Sequence, residues 1–408
     1  MGRGVPRKKV HDVTNRGRGL QIRNNTDQAR KYSNSVITTA AQLDRFKHQL
    51  NQQAKVGGPF QATLTRRSKE KEETTTSVPA NLRSGQGPTD DGLQGMNEAD
   101  VSYVSRPESM TDLHEKGIDG RGVTVAVIDS GVTRHEDFGD RIKAFKDFGS
   151  RKRAPHDPKG HGTHVAGIIL GDGAKVDGVA PKADLVAVRI SSEREAIQAV
   201  DWVIANKEKY SIDVLNLSLG VDAKANPAED EFRLAAERAV DAGLVVVVSA
   251  GNECKGGICP STISSPGVSP KVITVGATDD NGTSLLKDDK IWEKSSQGTF
   301  MEGKPDLVAP GAGVLSILAP KSVFADRVPK GSEYLAVSGS SQASPMVAGA
   351  AALLLQVNPA LTHQQIKDIF TDTAKPLPGV KKSAQGAGRL DLDGAVKAAA
   401  ALKKRKVS

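Results

Sequence analysis

From about residue 101 onward, short apolar runs alternate with segments of helical periodicity, and this alternation strongly constrains the fold. Five apolar runs predict buried strands: Val123–Asp129, Asp184–Ile190, Val214–Leu219, Leu244–Ala250 and Lys271–Val275. Four other segments predict helices: His161–Leu170, Arg194–Glu208, Asp230–Ala242 and Gln342–Gln356. Near-continuous apolarity is typical of strands that are covered on both faces. We therefore predict an α/β fold with a mostly parallel central sheet and helices on both faces.

Polar residues and glycines follow several of these runs. Asp129, Ser218, Gly220 and Asn252 lie at or just beyond the ends of predicted strands. In a parallel sheet, functional groups gather at the carboxyl ends of the strands. The sequence therefore predicts a functional site at this edge of the sheet.

Four short motifs carry the residue types of nucleophilic catalysis. They are VAVIDSGV around Asp129, GHGTHVAG around His161, SGSSQASPMVAGAAAL around Ser341 and SAGNE around Asn252. A serine hydroxyl is a weak nucleophile that needs an adjacent base, and the start of a helix favours a developing oxyanion. Taken alone, each residue also fits a structural role, as a helix cap or a turn former.

Together and in the order Asp, His, Ser, these motifs resemble the subtilase family of serine peptidases over about residues 101–400, and within it the leaderless alkaline proteases. The resemblance implies that Ser341 is the nucleophile and His161 the general base. It implies that Asp129 orients the histidine and that Asn252 donates to the oxyanion. The implied activity is a serine endopeptidase that works through an acyl-enzyme.

The resemblance also implies two walls of a substrate pocket. They are Ser218, Leu219 and Gly220 on one side and Ser249, Ala250 and Gly251 on the other. Their backbone groups are expected to pair with a protein or peptide substrate as an added strand. Neither segment has an acidic residue, so we expect a neutral or apolar side chain before the scissile bond.

Two departures from the family pattern concern metal and oxidation. The segment IILGDGAKVD (168–177) replaces a longer calcium loop and offers only Asp172 and Asp177 as charged oxygen ligands. Calcium usually takes six to eight oxygen ligands, so the usual site is expected to be lost. No required cofactor and no metal-binding residues are predicted, with calcium binding elsewhere left open. Gln342 follows the nucleophile, where many relatives carry methionine.

The N-terminal part differs from the rest in charge. Residues 1–100 contain 17 Lys and Arg against 10 Asp and Glu, whereas the remainder is nearly balanced. We predict a basic extension of low hydrophobicity over 1–100, a peptidase domain over 101–400 and a basic tail over 401–408. Within the extension, apolar spacing predicts a helix over 35–53, and composition predicts a linker over 54–98. The extension is either a degenerate propeptide, which would contact its own catalytic domain, or a polar tail with another role.

Several classes of function are disfavoured. No apolar stretch reaches 18 residues, so no membrane partner is expected. Residues 1–60 hold only Tyr32, Phe46 and Phe60 as aromatics, which provides poorly for base stacking, so nucleic acid is not an expected partner. A catalytically dead subtilase that serves as a binding module is disfavoured because all four catalytic positions carry working residue types.

Location and redox state are read from the chain start and the cysteines. The first residues lack a secretory apolar run, so a cytoplasmic location is expected, with leaderless export left open. Cys254 and Cys259 are too few for a disulfide framework and are either a local pair or two free thiols.

Overall fold

The computed structural model describes residues 13–16, 19–22, 83–84, 108–150, 152–255, 259, 261–283, 285–299, 301 and 303–407. The helix predicted over 35–53 and nearly all of the linker predicted over 54–98 lie outside these residues. The chain divides into two compact units, Met1–Pro79 with Lys224–Pro227 and Ala80–Ala223 with Ala228–Ser408. The boundaries predicted near residues 100 and 400 stay predictions.

The described elements are as follows. The strands are β1 Val13–Arg16, β2 Gly19–Ile22, β3 Arg83–Ser84, β4 Thr124–Asp129, β5 Ile142–Asp147, β6 Asp184–Arg189, β7 Ile212–Leu217, β8 Leu219–Gly220, β9 Val245–Ser249, β10 Ile273–Asp279, β11 Lys290–Ile291, β12 Leu307–Pro310, β13 Val314–Ile317 and β14 Tyr334–Val337. The helices are α1 Glu108–Glu115, α2 His161–Leu170, α3 Glu193–Ala205, α4 Lys207–Tyr210, α5 Glu231–Asp241, α6 Ser340–Val357, α7 His363–Thr373, α8 Lys382–Gln385 and α9 Leu392–Val407. In the first unit, β1 and β2 form an antiparallel hairpin.

The second unit is built on an eight-stranded sheet in the order β11-β10-β9-β7-β4-β6-β5, with β12 paired to β10. Every pairing in this sheet is parallel except that of β10 with β11. The mostly parallel sheet predicted from the sequence is therefore confirmed. Strands β5 and β6 lie on one side of β4, and β7, β9 and β10 lie on the other, so the winding reverses at β4. Ligand sites of open α/β sheets form at such a reversal.

The core lies on both faces of the sheet, as the side-chain alternation of strand β4 shows. Val125 and Val127 belong to the buried cluster on one face, which also includes apolar residues of α2 and α6. Ala126 and Ile128 belong to the cluster on the other face, which includes residues of α3 and α5. Successive side chains of a strand point to opposite faces, so both faces of β4 must be apolar.

Helix α6 is buried over almost its whole length. Its residues 340–355 are all buried, which matches the apolar run MVAGAAALLL. A helix that is apolar on all sides must be surrounded by protein, so its N-terminal turn is held firmly at the sheet edge. Within the described residues, no helix is long and apolar enough to cross a membrane.

Candidate active site

The sheet gathers the predicted polar residues at one edge. Asp129 is the last residue of β4, Ser218 directly follows β7, and Asn252 lies three residues beyond β9. Strands β4, β7 and β9 are neighbours and run parallel, so their carboxyl ends meet at this edge. Helices α2 and α6 begin with His161 and Ser340.

Asp129 and His161 form a buried hydrogen-bonded pair. The Nδ1–H of His161 donates to Asp129 Oδ1 at 2.8 Å, and Oδ2 lies at 3.0 Å. Both residues are almost completely buried. The imidazole is thereby fixed with its proton on Nδ1, which leaves the Nε2 lone pair available as a base. Within the described part of the chain, Nε2 is buried without a hydrogen-bond partner.

The two histidines of α2 have opposite electrostatic environments. Burial lowers the pKa of His161, but the charge and hydrogen bond of Asp129 outweigh burial, so its pKa is raised above the ordinary value. Burial lowers the pKa of His164 to about 3, so this ring is neutral. The Nε2 atom of His164 lies 2.9 Å from the carbonyl of Leu335, so this ring is held by the backbone of β14.

Ser341 lies in the first turn of α6, and its hydroxyl points to β7–β8. Its Oγ donates to the carbonyl of Ser218 at 3.1 Å. In return, the hydroxyl of Ser218 donates to the carbonyl of Ser341 at 3.0 Å. Asn216 donates to the Ser218 hydroxyl from the strand itself, at 2.9 Å. The start of α6 is therefore fastened to the end of β7 by buried polar contacts.

Asn252 is held with its amide group turned toward the start of α6. Its Oδ1 accepts from the backbone N–H of Ser340 at 2.9 Å and from the Ser340 hydroxyl at 3.0 Å. With Oδ1 occupied in this way, Nδ2 is the atom left to face a ligand. A Cβ added to Gly339 would lie 2.9 Å from Gln342 Oε1 and 3.2 Å from Asn252 Nδ2, so glycine keeps this space open.

The two predicted pocket walls differ in how their backbones are used. In the first wall, the edge strand β8 pairs antiparallel with β3, with Arg83 opposite Gly220 and Ser84 opposite Leu219.

In the second wall, the carbonyl of Ala250 accepts from Ser264 N, and that of Gly251 accepts from Ser296 N. Ser249 pairs with Val275 as part of the sheet. The first wall therefore offers an edge for strand pairing, and the second is fastened to its own chain.

Two contributors to the site were not predicted from the sequence. Ser340 fixes Asn252, and its hydroxyl also donates to the carbonyl of Gly251 at 3.1 Å. The motif SGSSQ contains the two adjacent serines, but the sequence does not predict that the first of them, Ser340, forms hydrogen bonds with Asn252. Phe324 places its ring edge-on to the imidazole of His161, with the ring centroids 6.3 Å apart. No motif in the sequence predicts this contact, because Phe324 belongs to a loop that is distant from His161 in the sequence.

Cys254 and Cys259 are joined by a disulfide, which settles a question that the sequence left open. The bond closes a short loop two residues after Asn252. Within the described residues, both cysteines are paired.

A parallel α/β sheet with a buried acid–histidine pair and a serine at the start of a central helix has the arrangement of a triad-type serine hydrolase. The model of the Subtilase family matches residues 120–391 of this chain. Serine protease AprX of Bacillus subtilis is 40% identical over 298 residues, which cover 68% of this chain and 66% of that protein. Subtilisin E of the same organism is 34% identical over 284 residues, which cover 67% of this chain and 65% of that protein. The match spans slightly less than two thirds of each relative.

Solved structures agree with this grouping. Fervidolysin from Fervidobacterium pennivorans, described as a keratinolytic enzyme related to subtilisin, aligns with a TM-score of 0.57 at 26% identity. That alignment covers 73% of this chain and 45% of fervidolysin. A cold-adapted subtilisin-like serine proteinase aligns with a TM-score of 0.52 at 32% identity, over 67% of this chain and 88% of that one. The chain belongs to the Subtilase family, and the resemblance seen in the sequence is confirmed.

Proposed function

We propose that the chain is a serine endopeptidase that cleaves peptide bonds through an acyl-enzyme, with Ser341, His161 and Asp129 as its catalytic triad. One observation carries the proposal: the buried Asp129–His161 hydrogen bond lies at the sheet edge where the helix of Ser341 begins. The family to which the chain belongs supports the same reading.

In the proposed reaction, the Ser341 hydroxyl turns from the carbonyl of Ser218 to Nε2 of His161. His161 takes the hydroxyl proton as Ser341 Oγ attacks the scissile carbonyl carbon, and the resulting imidazolium is stabilised by Asp129. The carbonyl oxygen becomes an oxyanion that accepts from Asn252 Nδ2 and the backbone N–H of Ser341. Collapse breaks the C–N bond, and His161 gives its proton to the leaving amine. Water then attacks the acyl-enzyme with the same proton transfers and releases the acid product.

The hydrogen bonds of the adjacent serines support Ser341 over Ser340 as the nucleophile. The Ser340 hydroxyl lies between Asn252 Oδ1 and the backbone of Gly251, accepting from the Gly251 N–H at 3.0 Å and sharing its one proton between the two neighbouring oxygens. A hydroxyl committed to holding the oxyanion donor is poorly placed to attack a substrate. Within the described part of the chain, the Ser341 hydroxyl has a single hydrogen bond to break, the one to the carbonyl of Ser218.

We propose that a substrate backbone pairs with β8, with a neutral or apolar side chain entering the pocket between Ser218–Gly220 and Ser249–Gly251. The pairing of β3 with β8 supports this, because it shows that the edge accepts an antiparallel strand. The same pairing supports an extension that contacts its own catalytic domain. Residues 83–84 and a substrate would then compete for one edge.

We propose that catalysis needs no metal ion and that the loop after α2 does not bind calcium. The donor set does not fit, because Asp172 is paired with Lys182, and Asp177 with His114. Each carboxylate already has a side-chain nitrogen partner, whereas calcium requires several free oxygens. Among the described residues, no three His, Cys, Asp or Glu side chains are grouped to hold a metal.

The test is casein digestion by the purified chain, with and without a serine-reactive phosphonate, followed by mapping of the modified residue. We expect digestion, complete inhibition and a label on Ser341. Undigested casein would contradict the peptidase, and a label on Ser340 would contradict the assignment of the nucleophile.

A further inference from the structure

Helix α2, which carries His161, begins without a capping side chain. Its N-cap residue is Gly160, with φ of 92°. A Cβ at this position would lie 2.6 Å from Ser322 Oγ, and the left-handed backbone also favours glycine. The first N–H groups of a helix lack partners within the helix and need acceptors from elsewhere.

Asp157, four residues before the histidine, supplies these acceptors. Its Oδ2 accepts from both the backbone N–H and the hydroxyl of Thr163, each at 2.8 Å. Its Oδ1 accepts from the backbone N–H of Gly160 at 2.8 Å and from the hydroxyl of Ser130 at 2.8 Å. The carboxylate is buried and receives four donors, two at each oxygen.

Ser130 joins this cap to the other half of the catalytic pair. Its backbone N–H donates to Asp129 Oδ1 at 2.6 Å, while its hydroxyl accepts from the backbone N–H of Gly162 at 3.0 Å. An unbroken chain of hydrogen bonds therefore runs from the Asp129 carboxylate through Ser130 and Asp157 to the helix turn that bears His161.

Only an ionised carboxylate can satisfy this arrangement. Four donors converge on two oxygens, and an asparagine would place its NH₂ group against two of them. A buried donor that loses its acceptor is destabilising, so the cap would have to rearrange. The negative charge also lies at the positive end of α2, where it is favourable.

We propose that Asp157 is a positioning residue that sets the distance and orientation between Asp129 and His161. The proposal rests on the proposed function of that pair. Asp157 does not touch a substrate and acts through Ser130 and the first turn of α2. A displacement of about 1 Å in such a pair lowers turnover by about 10²-fold.

Charge gives a second measure of the role. Charged groups near the imidazole of His161 act in both directions: Asp129 and Asp157 raise its pKa, and Lys159 lowers it. Burial lowers the pKa as well, and the net result is a raised value. Loss of the Asp157 charge should therefore lower the pKa of His161.

The experiment compares Asp157→Asn with Asp230→Asn in the full chain. Asp230 is a matched control because it is also buried, caps a helix through Arg233 N at 3.0 Å, and accepts from the hydroxyl of Ser265 at 2.6 Å. On a peptide amide, Asp157→Asn should lower kcat about 10²-fold with KM nearly unchanged. The pKa of His161, followed by NMR, should fall in Asp157→Asn alone.

The outcomes separate this proposal from the peptidase itself. A wild type that cleaves no peptide contradicts the proposed function, while the NMR titration still tests Asp157. Wild-type kcat and an unchanged His161 pKa in Asp157→Asn, or equal changes in Asp230→Asn, would overturn the positioning role. If Asp157→Asn does not fold, Ser130→Ala decides: we expect about a tenfold loss of kcat, near the value of one hydrogen bond, and no loss would overturn the proposal.

Discussion

Helices α2 and α6 bring the base and the nucleophile to the same edge, yet their first turns are held in opposite ways. Both begin at a glycine that makes no side-chain cap. At α2 the acceptor is the carboxylate of Asp157, which binds the N–H of Thr163. At α6 the acceptor is the neutral amide oxygen of Asn252, which binds the N–H of Ser340.

The difference matches the charges that the proposed reaction would create. His161 becomes a cation, so a carboxylate at the start of its helix is favourable. Beside Ser341 an oxyanion develops, and the first turn of α6 has no acidic residue that would oppose it. The comparison indicates that the charge of the group that caps each helix suits the charge formed beside it in the proposed reaction, in addition to stabilising the helix.

The largest expected effect concerns the nucleophile of α6. Ser341→Ala should lower kcat by at least about 10⁴-fold, as removal of a triad member usually does. Ser340→Ala is the matched control and should lose far less, because it removes only the hydrogen bonds of that hydroxyl to Asn252 and Gly251. Steady-state kinetics on a peptide amide measure both. Equal losses in the two variants would contradict the separate roles given to these serines.

The next prediction places a charge at the wrong helix. Asn252→Ala should lower kcat about 10²–10³-fold, because removal of one hydrogen-bond donor to the oxyanion usually costs this much. Asn252→Asp keeps the oxygen that Ser340 binds but adds a negative charge, so it should lose at least as much. Comparison of kcat and KM for both variants tests this. If Asn252→Asp were more active than Asn252→Ala, the proposed need for a neutral cap at α6 would be contradicted.

The pH profile tests the charge at α2. Because the pKa of His161 is raised above 6.5, the imidazole becomes protonated, and therefore inactive as a base, at a pH higher than usual. We expect kcat/KM to fall about tenfold per pH unit below that pKa. Lys159 lowers this pKa, so Lys159→Gln should move the acid limb of the profile to higher pH. An acid limb below 6.5 in the wild type would contradict the raised pKa.

A smaller effect is expected at the residue that follows the nucleophile. Gln342 is buried and has no sulfur, so peroxide cannot form a sulfoxide beside the reacting carbonyl. Activity on a small peptide ester should survive peroxide, and Gln342→Met should introduce sensitivity. Matched inactivation rates show the difference. If both proteins lose activity equally fast, oxidation at Met346 becomes the next explanation to test.

The smallest effect is expected from metal removal. Since Asp172 and Asp177 pair with Lys182 and His114, EDTA should change the thermal midpoint little. Calorimetry with EDTA, and with calcium added back, measures this. A large drop that calcium restores would contradict the prediction.

Much of the fold could be predicted because its strands are buried on both faces. The apolar runs around Val125 and Val247 are nearly uninterrupted in the sequence, and strands β4, β6, β7, β9 and β10 all correspond to predicted strands. Edge strand β5 was not, because Ile142–Asp147 is only partly buried and its sequence mixes lysine with apolar residues. Helix α7 was also missed, although Thr362 and Gln365 form a capping box that was present in the sequence.

For the site, motifs identified the residues but not the contacts between them. Asp129, His161, Ser341 and Asn252 lie together at the sheet edge, and their catalytic roles stay predictions. Asp157 was overlooked, although an aspartate before a helix is a recognised capping signal. Its hydrogen bond with Ser130 depends on how two loops pack together, and the spacing of residues in the sequence does not predict that packing.

The Cys254–Cys259 disulfide bears on the compartment in which the chain could work. Cytosolic thiols are usually kept reduced, so a disulfide is unusual for a protein with the predicted cytoplasmic location. By the chain-entropy estimate, however, so short a ring contributes only about 2 kcal/mol. The extensive buried core of the second unit does not depend on it. We therefore expect the sheet to stay folded when the disulfide is reduced.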